Sequence, residues 1–118
     1  MKYMLLIYGN EQAVDEAMRE QCYQEATQAA HRLKAAGQYL DAAPLHPTTS
    51  AASVRVYDGK RLVTDGPFAE TREQLGGYFL VDARDREEAI AIAAQLPMAR
   101  FGVIEIRPII ELPGLPKT

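Results

Sequence analysis

Residues 62–81 read LVTDGPFAETREQLGGYFLV, and this stretch decides how the rest of the chain is interpreted. It contains the end of one strand, a turn, a charged segment, a pair of glycines and the start of a second strand. In the Asp-Gly-Pro segment at 65–67, glycine tolerates a positive φ and proline fixes its own φ, so a sharp change of direction is predicted. The Gly-Gly pair at 76–77 allows another part of the backbone to approach the second strand closely.

Upstream of this stretch, the sequence predicts a strand followed by a long helix. Residues 3–8 are apolar on both alternating faces, which is typical of a strand in a sheet covered on both sides. Residues 14–36 have apolar side chains at spacings of three and four, which indicates a helix with one buried stripe. Gly37 is expected to end that helix in the left-handed conformation.

The remaining elements follow from equally local signals. Residues 38–45 are predicted to be extended, and residues 53–57 and 61–64 to form a hairpin around Asp58-Gly59. A strand is predicted at 78–82, a second helix from an Asp85 N-cap to Pro97, and a last strand at 101–109. The predicted fold is therefore α+β, with the order βαββαβ and an extra β-hairpin.

The segment DGPFAETREQLGGYFLV at 65–81 resembles the signature of the DGPF-domain family, a branch of the YciI-like (YCII-related) proteins. The start MKYMLLIYG at 1–9 and the end GVIEIRP at 102–108 also fit the family pattern. The resemblance covers most of the chain. It implies a ferredoxin-like domain that dimerises into an α+β barrel, and it implies no particular reaction.

The residues themselves also favour a dimer. A chain of 118 residues is one domain by length, here expected at 1–109 with an extended tail at 110–118. Two helices cover only one face of the predicted sheet, whereas the strand at 3–8 is apolar on both. Because two-fold dimers are the commonest oligomers, a second copy of the same sheet is the expected cover.

Composition excludes several classes of function. The formal net charge is −3 and there is no Lys/Arg cluster, which argues against nucleic-acid and anionic-membrane partners. The single Cys22 excludes an internal disulfide and suits a reducing compartment. No segment approaches the roughly 18 apolar residues of a membrane helix, and no signal peptide is recognised. We expect a cytoplasmic protein.

The DGPF segment has two interpretations. In the functional one, Asp65 and Glu70 place carboxylates at the rim of a cleft, where they are the candidate catalytic groups, and Gly66 lets a ligand reach the backbone. In the structural one, Asp65 accepts backbone N–H groups, the next two residues make the turn and Phe68 fills the core.

A second candidate group lies on the last predicted strand. Glu105 and Arg107 share one face of it, so Arg107, or Arg55 from the hairpin, is the candidate partner for an anion. Tyr78 and Phe68 are the predicted walls of the cleft beside the Asp65–Glu70 segment, in which this arginine would bind the anion. The alternative is a structural ion-pair network that fixes the dimer.

Histidine and cysteine offer weaker signals. His31 is expected to be a solvated helix residue, His46 lies in a proline-bracketed loop, and Cys22 is expected in the core. A His–Asp dyad has been proposed for YciI relatives, but this chain has Tyr, Gln and Glu at 23–25 and Leu96 at the corresponding places. No metal-ligand spacing and no nucleotide motif is present, so neither a metal nor a cofactor is expected.

Two functions remain open at this point. The first is a homodimer that binds a small polar or anionic molecule in a cleft by the DGPF segment, with cofactor-free acid–base chemistry. The second is a non-catalytic regulatory or docking module linked to transcription. The resemblance allows the second, because members of the family are often encoded near alternative sigma factors.

Overall fold

The computed structural model describes residues 1–116. Two helices, a four-stranded sheet and a separate hairpin make up the fold, joined by short 3-10 turns at Glu11–Ala13, Thr48–Ser50 and Pro97–Arg100. In chain order, the elements are β1 (Lys2–Gly9), α1 (Glu16–Ala35), β2 (Tyr39–Pro44), β3 (Ala52–Tyr57), β4 (Lys60–Asp65), β5 (Gln74–Asp82), α2 (Arg86–Ala94) and β6 (Gly102–Pro108).

The four-stranded sheet has the order β2-β5-β1-β6, and all its neighbouring strands are antiparallel. β1 and β5 occupy the centre, with Leu5 opposite both Phe79 and Ile106. β3 and β4 form their own two-stranded sheet between β2 and β5 in the chain. The predicted α+β fold of ferredoxin-like order with an inserted hairpin is confirmed.

The core lies between the two helices and one face of the sheet. Leu5, Val81 and Leu96 are its most completely buried large side chains. The predicted apolar stripe of the second helix is buried, but the helix ends at Ala94 and not at Pro97, so Ala89, Ile92 and Ala93 lie on α2 while Leu96 follows it. Burying such side chains is the main source of stability for a domain of this size.

Helix α1 begins two residues later than predicted, and the physical reason is its cap. The side chain of Asp15 accepts the backbone N–H of Met18 at 2.8 Å, which fixes the first turn. The chain leaves the helix through Gly37 at a φ of 76°, as predicted. Only Cys22 and Ala29 of the twenty helix residues are buried, and Ala26, Ala30 and Leu33 are partly buried against the core.

The face of the sheet away from the helices, here called the open face, is uncovered in the single chain. Met4, Leu6 and Leu80 lie on it and are half-buried. Glu105 and Arg107 also lie there, while Ile104 and Ile106 pack against the core on the helix side. The predicted division of β6 into two faces is therefore confirmed.

The hairpin β3–β4 projects from the rest of the molecule. Asp58 and Gly59 at its tip both have positive φ, 54° and 74°, which is the geometry of the two-residue turn that the sequence predicts. Apart from Ser53, every residue of the two strands is exposed. The radius of gyration is 16.0 Å, whereas a compact chain of this length has roughly 13–14 Å.

The chain beyond β6 runs over the surface. The backbone N–H of Ile109 donates to Lys2 at 2.9 Å, and Glu111 pairs with the Lys2 ammonium at 3.0 Å. Ile110, Leu112 and Leu115 are exposed, as predicted for the tail, whose last two residues lie outside the described part of the chain. Neither helix within residues 1–116 combines the length and apolar composition needed to cross a membrane.

Candidate functional site

A cavity of about 530 Å³ lies between α1 and the helix-facing side of the sheet, and it is here called the larger cavity. From the helix it is lined by Cys22, Ala26 and Ala30, and from the sheet by Ile7 and Phe79. Ala26 and Ala30 pack against the core, and their small side chains leave space between α1 and the sheet. The floor of the larger cavity is therefore apolar.

Polar side chains also line the larger cavity. Five of these side chains come from α1, and they lie along one side of the helix because they are three or four residues apart. They are Arg19, Tyr23, Thr27, His31 and Lys34. The other walls add polar residues near both ends of the sheet and from the loops, namely Asn10, Glu11, Tyr39 and Gln74.

Cys22 is the only cysteine of the chain and borders this cavity. Burial raises the pKa of its thiol, and the neighbouring Glu25 carboxylate adds to the increase while Arg100 opposes it. The thiol is therefore in its neutral form at physiological pH. Such a group acts as a small apolar wall, as the sequence predicts for Cys22.

A smaller cavity of about 350 Å³ lies beside the DGPF segment. Gly66, Pro67 and Glu70 contribute to its walls from that segment, and Thr48 from the opposite loop. Asn10, Glu11 and Gln74 line both cavities. The two spaces therefore adjoin, with these three residues between them.

Glu11 and Gln74 hold this partition in place. Both carboxylate oxygens of Glu11 accept hydrogen bonds from Thr48, one from its backbone N–H at 2.9 Å and one from its hydroxyl at 2.6 Å. The side-chain amide of Gln74 donates to the carbonyls of Ala69 at 3.1 Å and Thr71 at 3.0 Å. The sequence predicts a role for neither residue. Glu11 accepts hydrogen bonds from a residue far along the chain, and Gln74 donates to a segment without regular secondary structure.

Gly66 has the backbone geometry that the motif predicts. Its φ is 98°, a conformation strained for any residue with a side chain. Its N–H donates to the carbonyl of Ala51 at 2.7 Å, and its own carbonyl accepts the hydroxyl of Ser53 at 2.9 Å. These bonds close the base of the hairpin, so the Asp-Gly-Pro segment acts as a turn in this structure.

The other predicted residues of the motif point elsewhere. Asp65 is exposed at the end of β4, borders neither of the two cavities, and its carboxylate accepts no backbone N–H within residues 1–116. Phe68 is 88% exposed, so the interpretation of this residue as a core side chain is wrong for the single chain. Of the two candidate carboxylates, only Glu70 borders a cavity.

The structure does not bring the candidate anion partners to either cavity. Arg107 lies on the open face, 3.9 Å from the Glu105 carboxylate and on the opposite side of the sheet from the larger cavity. Arg55 is exposed on the projecting hairpin. Tyr78 borders the larger cavity, but its hydroxyl donates to Asp41 at 2.8 Å on the open face, and this hydrogen bond raises the pKa of the phenol.

The two histidines differ in that one borders a cavity and the other does not. His46 is exposed in the loop after β2. His31 is exposed as predicted, yet it also borders the larger cavity, which its helical position alone does not reveal. Leu96 is 1% exposed and apolar, so its position supplies no carboxylate for a His–Asp dyad. Among residues 1–116 no cluster of three potential metal ligands is found.

Comparison with known proteins fits this fold. A family profile described as the YCII-related domain matches residues 1–113. The chain belongs to the YCII-related family. An uncharacterized protein of Rhizobium meliloti (strain 1021) is 35% identical over 114 residues, which cover 92% of each chain.

A solved structure shares the fold of this YCII-related protein. It is the 5-chloro-2-hydroxyhydroquinone dehydrochlorinase of Burkholderia phenoliruptrix AC1100, in complex with 2,5-dihydroxybenzoquinone. The TM-score is 0.56 and the likeness covers 93% of this chain and 94% of the other. At 12% sequence identity the likeness is one of fold alone.

Proposed function

We propose that this YCII-related protein binds a small molecule in the larger cavity. The observation that supports this most directly is a cavity of about 530 Å³ with an apolar floor and polar side chains among its lining residues. Ligand sites are typically clefts of roughly 300–1,000 Å³ with mostly apolar walls and a few polar groups that fix orientation. The larger cavity matches that description in size and in chemistry.

A ring compound is the ligand best matched to this space. The fold neighbour binds 2,5-dihydroxybenzoquinone, a six-membered ring with oxygen substituents. In this chain, Phe79, Ala26 and Ala30 would contact such a ring, and Tyr23 and Tyr39 would meet its oxygens. Any acid–base chemistry would be free of a cofactor and would use Glu70, since this carboxylate borders the adjoining smaller cavity.

We further propose that two copies associate through the open face and form an α+β barrel. The supporting observation is the set of half-buried apolar side chains on that face, which include Met4, Leu6 and Leu80. A single chain leaves this surface in contact with water, whereas a second sheet packed about 10 Å away would cover it.

Binding can be tested by thermal unfolding with a panel of hydroxylated aromatic acids and quinones that includes 2,5-dihydroxybenzoquinone. A ligand at one hundred times its Kd stabilises the folded state by about 2.7 kcal/mol, so the wild type should unfold at a higher temperature. Ala26→Phe fills the larger cavity and should abolish that increase. Ala17→Phe introduces the same side chain on an exposed part of α1 that borders neither of the two cavities, and should retain it.

An increase that survives in Ala26→Phe would place the binding elsewhere and refute the proposal. Ala30→Leu provides a second, smaller block of the same space in case Ala26→Phe does not fold. Circular dichroism of each variant establishes folding before binding is compared.

A docking role is the second candidate, and one observation favours it. The hairpin and the DGPF segment expose apolar side chains, among them Val54, Val63 and Phe68. Exposed apolar patches often mark protein interaction sites. If this is a docking surface for an alternative sigma factor, Phe68→Ser should abolish co-elution with that factor while the thermal response to small molecules is unchanged.

A further inference from the structure

We infer that the larger cavity selects an anionic ring compound, with the acid group of the ligand bound by Arg19 and Tyr23. This inference rests on the proposed function and specifies the class of molecule bound. Arg19 and Tyr23 are four residues apart on α1, so their side chains lie on the same side of the helix, and both border the cavity.

The charges around the larger cavity are mostly positive. The cations Arg19 and Lys34 border it from α1, and Glu11 is the single Asp or Glu among its described lining residues. The Glu11 carboxylate already accepts two hydrogen bonds from Thr48. The chain as a whole has a net charge of −3, so the sign of the charge around this cavity is opposite to that of the molecule.

Acidic residues elsewhere on α1 do not neutralise these cations. Glu25 pairs with Arg100 at 3.2 Å, and Glu16 and Glu20 are exposed and do not border the cavity. Within residues 1–116, neither Arg19 nor Lys34 forms an ion pair with a carboxylate. Their charges therefore remain available to a ligand.

Arg19 is the best placed of these cations to bind an acid group. It is half-buried, whereas Lys34 is exposed, so the charge of Arg19 is the less screened by water. Its planar guanidinium matches the two oxygens of a carboxylate, and the Tyr23 hydroxyl supplies a further donor. The apolar floor formed by Cys22 and Ala26 then receives the ring.

The test uses acids and amides of the same shape: benzoate, salicylate and 2,5-dihydroxybenzoate against benzamide, salicylamide and 2,5-dihydroxybenzamide. Affinities are measured by calorimetry or NMR titration. We expect the best acid to bind at least about five-fold more tightly than its amide, since one ion pair in a partly solvated site is worth roughly 1 kcal/mol.

Arg19→Met should weaken binding of that acid about five-fold and leave its amide unchanged. Arg32→Met is the matched control, because Arg32 lies exposed on the same helix and borders neither of the two cavities. It should change neither affinity. Arg19→Lys keeps the charge and should restore part of the preference, which gives a readout if Arg19→Met does not fold.

The possible results distinguish failure of the charge selection from failure of the proposed binding function. If amides bind as tightly as acids and Arg19→Met has no effect, the charge selection is wrong while the cavity remains a ligand site. If acids are preferred but Arg32→Met removes the preference as strongly as Arg19→Met, the assignment to Arg19 is wrong. If no compound of the panel binds at millimolar concentration, the inference and the proposed function both fail.

Discussion

Gly76 and Gly77 are adjacent in the sequence but occupy different surroundings. A side chain at Gly77 would place its Cβ 2.9 Å from the carbonyl oxygen of Ala43 and 3.2 Å from the Cα of Pro44, both in the backbone of β2. Gly76 is the extra residue of a bulge opposite Ile7 and Tyr8, where the nearest atom to an added Cβ is 3.9 Å away. The close approach predicted for the glycine pair therefore belongs to Gly77.

Gly77→Ala should lower the free energy of unfolding by about 1–3 kcal/mol, since backbone atoms cannot move aside for the new methyl group. Gly76→Ala is the control and should stay within about 0.5 kcal/mol of the wild type, because a less flexible unfolded chain offsets minor strain. Urea unfolding of both variants measures the difference. Equal losses in the two would contradict this account of the pair.

Cys22 gives a pH-dependent signal from the wall of the larger cavity. Burial raises the pKa of its thiol, so the reactive thiolate forms only at a higher pH than in a free cysteine. The rate of iodoacetamide alkylation in the folded protein should therefore reach half its maximum at a higher pH than in the urea-unfolded protein. Identical pH profiles for the two states would show that the thiol is not in an apolar wall.

At the scale of elements, the helices differ in how firmly they are fixed. Helix α2 has a reciprocal cap, in which Asp85 accepts the backbone N–H of Glu88 at 2.9 Å and Glu88 accepts that of Arg84 at 2.9 Å. Its apolar residues Ala89, Ile92 and Ala93 are buried. Helix α1 is longer but has only two buried residues, and the space beneath it is the larger cavity.

Asp85→Ala should lower the free energy of unfolding by about 1 kcal/mol, the usual effect of removing an N-cap side chain. Glu87→Ala is the control within the same turn, because the Glu87 side chain is exposed and its ion pair is with the exposed Arg86. Thermal unfolding should separate the two variants. A loss for Glu87→Ala as large as that for Asp85→Ala would indicate a charge effect instead of a cap.

The sequence predicts those parts of the fold that depend on neighbouring residues. The α2 cap, the Asp58-Gly59 turn and the positive φ of Gly66 each follow from a few adjacent residues. Both cavities instead depend on segments far apart in the chain, such as Glu11 with Thr48 and α1 with β5. The sequence of α1 shows that alanines and polar residues recur at helical spacing. It does not show which side of the helix borders a cavity, because that depends on how the helix packs on the sheet.

At the scale of the whole molecule, the open face and the projecting hairpin are the features that a single chain leaves exposed. Isolated two-stranded hairpins are marginally stable in water, and a sheet face with half-buried leucines favours association. Both observations are consistent with the proposed dimer, in which a second copy covers the apolar side chains of the open face.

Leu6→Glu should convert the proposed dimer into a monomer, because it places a charge at the centre of the covered face. Ala91→Glu adds the same charge on the exposed side of α2, on the other side of the molecule, and should remain a dimer. Sedimentation velocity gives the mass of each. A wild type that sediments as a monomer at micromolar concentration would contradict the dimer without affecting the larger cavity.

The central claim is that a small molecule binds between α1 and the sheet, and amide NMR mapping tests it most directly. On titration with the tightest-binding compound of the panel, the largest shift changes should fall on residues 22–34 of α1 and on 76–79 of β5, which face each other across the larger cavity. Changes confined to the hairpin or the open face, or no changes at any residue, would contradict the claim.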